Sequence, residues 1–154
     1  MFLKKKIPQE KLAIKVLDTL LQLKEIDETL FSTWKKQGWS KKEAIKREVH
    51  FDYDYILAII QKEWDKQFPE LGCSFTLWSG NQKDIDNSQI SFSIGKTTKN
   101  KSLSNVIYLS FPFSDNLKYY SDDKRIKAIV EMLKNIWKSK KISIDFLENS
   151  NLRL

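Results

Sequence analysis

One cysteine and one histidine in 154 residues remove much of the chemistry on which small proteins are commonly built. Cys73 has no second thiol to bridge, so no internal disulfide forms, and its place on the apolar side of a strand-like run reads as a packed thiol in a reducing compartment. One Cys and one His fall short of the ligand set of a structural zinc site. His50 is far from Cys73 in sequence, which leaves a Cys/His nucleophile to folding coincidence. No apolar run approaches the roughly 18 residues of a membrane-spanning helix. Lys4, Lys5 and Lys6 suit a signal peptide, but Gln9, Glu10 and Lys11 stand where its apolar segment belongs. The expectation is a soluble, cytoplasmic protein with no membrane partner.

The motifs of catalysis are also missing. Gly95-Lys96-Thr97-Thr98 echoes the end of a phosphate-binding loop, but that loop needs a glycine where Ile90 stands, and it must open a helix to supply the dipole that holds phosphate. Ser79-Gly80 lacks the preceding glycine and the following helix of a nucleophile elbow. The pairs Asp52/Asp54 and Asp84/Asp86 belong to no longer ligand pattern. Asp84-Ile85-Asp86-Asn87-Ser88 has neither the glycine nor the distal glutamate of a calcium loop. These carboxylates read as solvated or capping groups. No metal, cofactor or catalytic residue is expected, and the chain reads as a non-enzyme.

Charge is present in quantity: 27 Lys and Arg against 20 Asp and Glu, a net +7. Residues 1–50 hold 12 basic against 7 acidic side chains, residues 51–100 hold 5 against 7, and residues 101–154 hold 10 against 6. The lysines are interleaved with acids as on solvated helix faces, with no block of five or six like charges. A basic total raises a nucleic-acid or acidic-protein partner as a class, while the acidic middle third offers a local patch for a basic one.

The length fits a single domain over 1–154, with 1–8 and 148–154 as loose ends. Leu12, Val16, Leu20, Leu23, Ile26 and Leu30 recur at spacings of three and four, predicting one long helix over 9–31, and Gly38 is a plausible stop for a short continuation past Trp34. Ser40-Lys41-Lys42-Glu43 has the capping-box pattern and predicts a short helix over 41–48. Asp52 opens a third helix through Ile56, Leu57, Ile60, Trp64 and Phe68, broken by Pro69 and Gly72. Alternation then predicts strands over 73–79, 89–95 and 105–111, joined by polar segments too short for helical crossovers. A last helix over 122–138 carries Asp122 and Asp123 at its start and lysines at its end, and 142–147 reads as a short edge strand. The fold class is α+β: a small antiparallel sheet of three to four strands, one face covered by N-terminal helices and one C-terminal helix.

Aromatics make up 12% of the chain. Trp64 and Trp137 fall on apolar helix faces and read as core. Trp34 and Trp39 bracket a polar turn, and Tyr53 and Tyr55 flank Asp54. Such residues among charges either form an interface or close gaps between helix ends and sheet. In Cys73-Ser74-Phe75-Thr76-Leu77-Trp78-Ser79-Gly80-Asn81, alternation puts Trp78 on the less apolar face of its strand, beside the acidic segment with Asp84 and Asp86. That arrangement reads as a recognition surface, unless a helix or a neighbouring loop covers the indole.

Ile26-Asp27 leading to Phe31-x-x-Trp34-x-x-x-Gly38, then Ser40-x-x-Glu43-Ala44 and Phe75-x-Leu77-Trp78-Ser79-Gly80, in this order, resemble the immunity protein 52 family over about residues 10–145. These are bacterial antidote proteins of polymorphic toxin systems. Ser79 departs from the asparagine common at that position. The resemblance implies a non-enzymatic, cytoplasmic inhibitor whose partner is a cognate toxin, often a restriction-endonuclease-like nuclease. Inhibition would follow from occluding or distorting the toxin's active site. A +7 chain disfavours inhibition by whole-surface DNA mimicry. The expected toxin-binding residues are Trp78, Asn81, Asp84 and Asp86, supported by Asp52 and Asp54, and a homodimer is compatible with the family reading. The alternative from another class is a small basic nucleic-acid-binding accessory protein.

Overall fold

The computed structural model describes residues 6–36, 40, 42–43, 46–80, 87–100, 104–112 and 123–138. Among these residues the elements run α1 (Gln9–Ile26), α2 (Glu28–Phe31), β1 (Lys35–Lys36), α3 (Tyr53–Glu63), a 3-10 turn (Pro69–Leu71), β2 (Cys73–Trp78), β3 (Gln89–Ile94), β4 (Val106–Ser110) and α4 (Asp123–Trp137). The strands form one antiparallel sheet in the order β1-β2-β3-β4. This is the α+β architecture that the sequence predicts.

The predicted helix over 9–31 is two helices. Asp27 adopts an extended backbone between them, its amide closing α1 on the Leu23 carbonyl at 3.0 Å while its carboxylate accepts from the Leu30 amide at 3.1 Å to cap α2. The other carboxylate oxygen meets Arg125 of α4 at 2.7 Å. A capping aspartate can start a new helix as readily as it sits within one, and hydrophobic spacing carries straight through such a break.

The third helix also stops early, at Glu63. Trp64 turns extended to bridge Cys73, and its indole N–H donates to the Pro69 carbonyl at 3.1 Å. Asp65 then accepts from the amides of Gln67 and Phe68 through one oxygen, satisfying backbone groups that a continuing helix would have used. Phe68, expected on the apolar face of that helix, is about half exposed. Gly95 lets Trp64 lie against β3: its φ is +80°, and a Cβ there would come within 2.5 Å of the indole ring.

Within 41–48 the described residues are helical only at Lys42–Glu43. The Ser40 hydroxyl accepts from the Glu43 amide at 3.2 Å, one half of the capping box, but the Glu43 carboxylate pairs with Arg47 at 2.7 Å. Glu48, expected to end the helix, instead forms a bridge with Lys35. The predicted strand over 142–147 lies outside the described residues.

β2 and β3 pair with Cys73 opposite Ile94, Phe75 opposite Phe92 and Leu77 opposite Ile90, and Ile90 and Phe92 continue to Leu109 and Ile107 of β4. This face packs on α1 (Leu12, Val16, Leu20, Leu23), α3 (Ile56, Ile60) and α4 (Ile129, Met132, Ile136). Each fully buried Leu, Ile or Phe contributes about 1.5–3 kcal/mol relative to exposure. The other face is a ladder of hydroxyls, with Ser74 to Ser93 at 2.9 Å and Thr76 to Ser91 at 2.7 Å. Helix α4 is fastened to α1 by polar contacts: Trp137 donates to the Thr19 hydroxyl at 2.9 Å, and Lys15 donates to the Ile136 carbonyl at 2.5 Å. Burial, with Lys138 nearby, holds the Lys15 amine below its ordinary pKa, yet its place at the C-terminal end of α4 suits the cation.

Candidate functional site

Of the six residues expected to bind a partner, Trp78, Asp52 and Asp54 are described, and contacts link them around the β1 edge of the sheet. Trp34 precedes β1, fully buried and stacked on Phe31 with ring centroids 5.9 Å apart, its indole N–H without a hydrogen-bond partner among the described residues. The Trp34 carbonyl accepts from Val49 at 2.7 Å, and Lys36 donates to the Arg47 carbonyl at 3.0 Å. Segment 47–49 therefore covers the outer side of β1, while its inner side pairs Lys35 with Trp78 and Lys36 with Leu77.

Trp78 lies on the face opposite the core, as alternation predicts. It is covered all the same, 9% exposed, with its indole donating to the Lys36 carbonyl at 3.3 Å. The indole thus braces the edge strand rather than standing out from the sheet, the second of the two readings its pattern allowed. Directly after it, Gly80 has φ +79°, and a Cβ there would meet the Lys35 side chain at 2.5 Å. The Ser79 amide donates to the Ser88 carbonyl at 3.0 Å, and the Ser79 hydroxyl accepts from the Ser88 amide at 2.9 Å. The connection carrying Asn81, Asp84 and Asp86 leaves and returns at this clasp, although those three residues themselves lie outside the described set.

Asp52 and Asp54 are exposed at the start of α3. Asp52 accepts from the Tyr55 amide at 2.9 Å, an N-cap that explains its position without invoking a ligand. Lys36 sits over the Tyr55 ring at 5.4 Å, His50 meets that ring edge-on at 4.9 Å, and the Tyr55 hydroxyl donates to the Glu48 carbonyl at 3.0 Å. Burial pushes the Tyr55 phenol above its ordinary pKa, so it remains a neutral donor. A chain of contacts therefore runs from Trp78 through Lys36 and Tyr55 to Asp52, though Trp78 and the carboxylates do not touch. Sequence weighed His50 only as a partner for Cys73, and read Lys35 and Lys36 as part of a polar turn between Trp34 and Trp39. A two-residue strand is too short for a period to reveal it.

His50 is exposed and engaged with an aromatic ring. Cys73 is buried, and burial, with Glu63 adding to it, pushes its thiol up to about 12, which leaves almost no thiolate at neutral pH. Among the described residues no group of three or more His, Cys, Asp or Glu side chains could hold a metal ion, and no helix is long and apolar enough to cross a membrane. An open cleft of about 540 Å³ elsewhere, between the start of α1, Trp64 and Glu70, has exposed Lys6, Glu10 and Glu70 around it. The Trp64 N–H there is already bonded to Pro69. No protein-family model and no characterised protein matches this chain.

Proposed function

We propose that this chain is a non-catalytic immunity protein that binds a cognate bacterial toxin, a nuclease-type secretion-system effector, in the cytoplasm and occludes its active site. The observation that carries the reading is the β1 edge. There two exposed carboxylates, Asp52 and Asp54, stand beside partly buried Tyr53 and Tyr55, and Ser79 and Ser88, between which the acidic residues 81–86 fall in sequence, are hydrogen-bonded to each other. On a chain of net +7, the exposed carboxylates and tyrosines beside the two lysines of this braced edge suit a basic cleft such as a nuclease uses for phosphates. Trp78 and Trp34 then act as bracing, and the contacts fall to Asp52, Asp54, Asn81, Asp84 and Asp86. The resembling motifs agree with this division: Asp27, Phe31, Trp34 and Leu77 are all buried, as residues that specify a fold.

The test is co-purification with the product of the adjacent toxin reading frame, followed by neutralisation of its activity. Asp54→Lys combined with Asp84→Lys and Asp86→Lys is expected to weaken binding at least a hundredfold with an unchanged melting curve. Asp52→Asn, which keeps the helix cap and removes the charge, adds a smaller loss. Unchanged affinity in the triple variant removes this site. Steeply salt-dependent binding of the isolated protein to generic duplex or single strands, with no toxin captured, would favour the nucleic-acid reading instead.

A further inference from the structure

Helix α1 is apolar on two opposite sides. Leu12, Val16, Leu20 and Leu23 face the core, while Ile14 and Leu21, about half a turn round the helix from them, are 56% and 41% exposed. One apolar stripe is all that a helix on the surface of a single core requires. Leu17, partly buried, borders Ile14 and Leu21 on the same outward side. Charged residues flank this second stripe in rows seven apart. Glu10 and Lys24 share the row of Leu17, and Lys11, Asp18 and Glu25 form the row on the other flank. Although the chain carries +7, α1 is balanced, with three acids, Glu10, Asp18 and Glu25, against three lysines, Lys11, Lys15 and Lys24. Lys11 and Glu25 are exposed and form no ion pair among the described residues.

We propose that the outward face of α1 is a dimerisation surface, on which a second copy of this chain lays its own α1 antiparallel about a two-fold axis at the middle of the helix, between Leu17 and Asp18. The register argues for this occupant. With that axis Ile14 meets Leu21 of the second copy and Leu17 meets its own equivalent, so the apolar stripe is covered while all 18 residues of the helix overlap. Charge selects the same arrangement. Lys11 falls beside Glu25 of the second copy, and Glu10 falls beside Lys24, whose ammonium lies over the Phe51 ring at 5.7 Å. The two-fold makes each of these pairs twice. The like pair at the axis, Asp18 with its equivalent, is softened because Gln22 already donates to the Asp18 carboxylate at 2.8 Å. A parallel pairing would instead set Lys11 on Lys11 and Glu25 on Glu25. A chain of +7 repels its copies over most of its surface, and α1 is a balanced helix whose two ends complement each other in sign.

A seam about 27 Å long and one helix wide falls below the roughly 800 Å² per partner of a standard stable interface, so the dimer is concentration-dependent. The proposal does not depend on the toxin-binding reading, since no residue of this face belongs to the β1 edge.

Sedimentation velocity on the full chain, from about micromolar to about millimolar protein, is expected to show the weight-average mass rising towards twice that of the monomer. Ile14→Lys should weaken the dimer at least tenfold while leaving the melting curve of the dilute protein unchanged, because more than half of that side chain is already exposed. Leu21→Lys serves in its place if that variant melts early. Lys11→Glu alone and Glu25→Lys alone should each weaken the dimer by setting like charges across the axis. Lys11→Glu combined with Glu25→Lys should restore association, because the pair is remade with its signs exchanged, and both changes suit the helix dipole. Under oxidation Leu17→Cys, beside the axis, should form a covalent dimer. Ile14→Cys should not, since the two copies of residue 14 lie about 10 Å apart along the seam. A wild type that stays monomeric at every concentration overturns the proposal. So does a dimer indifferent to both lysine variants, a combined charge exchange no tighter than either single change, or cross-linking through Ile14→Cys as ready as through Leu17→Cys. A monomeric wild type whose Ile14→Lys variant loses toxin capture would assign the stripe to a helix of another protein, and the second-copy proposal would fall.

Discussion

The two edges of this sheet solve the same problem differently. β1 is two residues long, both lysine, and segment 47–49 covers its outer side while Trp78 and Trp34 hold it from either flank. β4 is five residues long, uncharged and partly exposed on both faces. An edge strand is a row of unpaired amides and carbonyls, and it stays inert only when shortened, charged or covered. β1 is all three, whereas β4 is longer and uncharged and, among the described residues, pairs only with β3. Where a recognition surface needs fixed geometry the guarded edge is suited, because its side chains project from backbone that does not slip.

The largest expected effect tests whether β1 is fixed from beneath. Trp34→Ala removes a fully buried, stacked ring and should cost about 3–5 kcal/mol in urea denaturation. Trp34→Phe keeps most of the volume and removes an indole N–H that has no partner among the described residues, so its cost should stay below about 1.5 kcal/mol. Equal losses in the two variants would mean that packing does not set the stability of this edge.

Gly80→Ala comes next. It forces an L side chain to φ +79° and drives a methyl into Lys35, with an expected cost of about 1–2 kcal/mol. Adding Lys35→Ala should recover the steric part and leave the backbone part. Full recovery would mean that the left-handed turn is not itself under strain. Trp78→Phe, which deletes the 3.3 Å bond to the Lys36 carbonyl, should cost about 1 kcal/mol, and amide exchange should speed up at Lys36 before it does in β3. On the other edge, Tyr108→Thr should change monomer stability by no more than about 0.5 kcal/mol. A larger loss would show that β4 is covered and not open.

Smallest at neutral pH is the Cys73 thiol, buried at the start of β2. Its folded pKa, about 12, lies above its ordinary value of 9.0. The neutral form is therefore favoured by folding, the contribution is fully present below pH 9, and it is lost as pH rises through about 12. Alkylation of native protein at pH 8 should be far slower than that of urea-unfolded protein, and equal rates would place Cys73 at the surface.

Much of the fold is legible in the sequence because it is written in periods. Cys73, Phe75 and Leu77 against Ile90, Phe92 and Ile94 define both the strands and their buried face. The boundaries were harder. Asp27 and Asp65 both look like ordinary polar positions at the margin of a helix, yet each turns the chain by accepting backbone amides that the helix would otherwise have used. Phe68 was misread because spacing continues past a break that a single carboxylate makes. The candidate site was legible as composition, tyrosines and tryptophans among acids, but not as arrangement. Alternation placed Trp78 on the outer face, and only its bond to Lys36 shows that the indole is covered there.

By itself the sequence determined the apolar faces, the order of helices and strands, and the scarcity of groups able to do chemistry. These follow from side-chain identity and from backbone repeats of two and 3.6, which are local properties. Tertiary structure alone decided that Lys35–Lys36 becomes a strand, that Trp78 is covered, and that Asp52 is linked to it through Tyr55. Each of those depends on a contact between residues far apart in the chain, and no local period records which distant backbone will pair with two lysines.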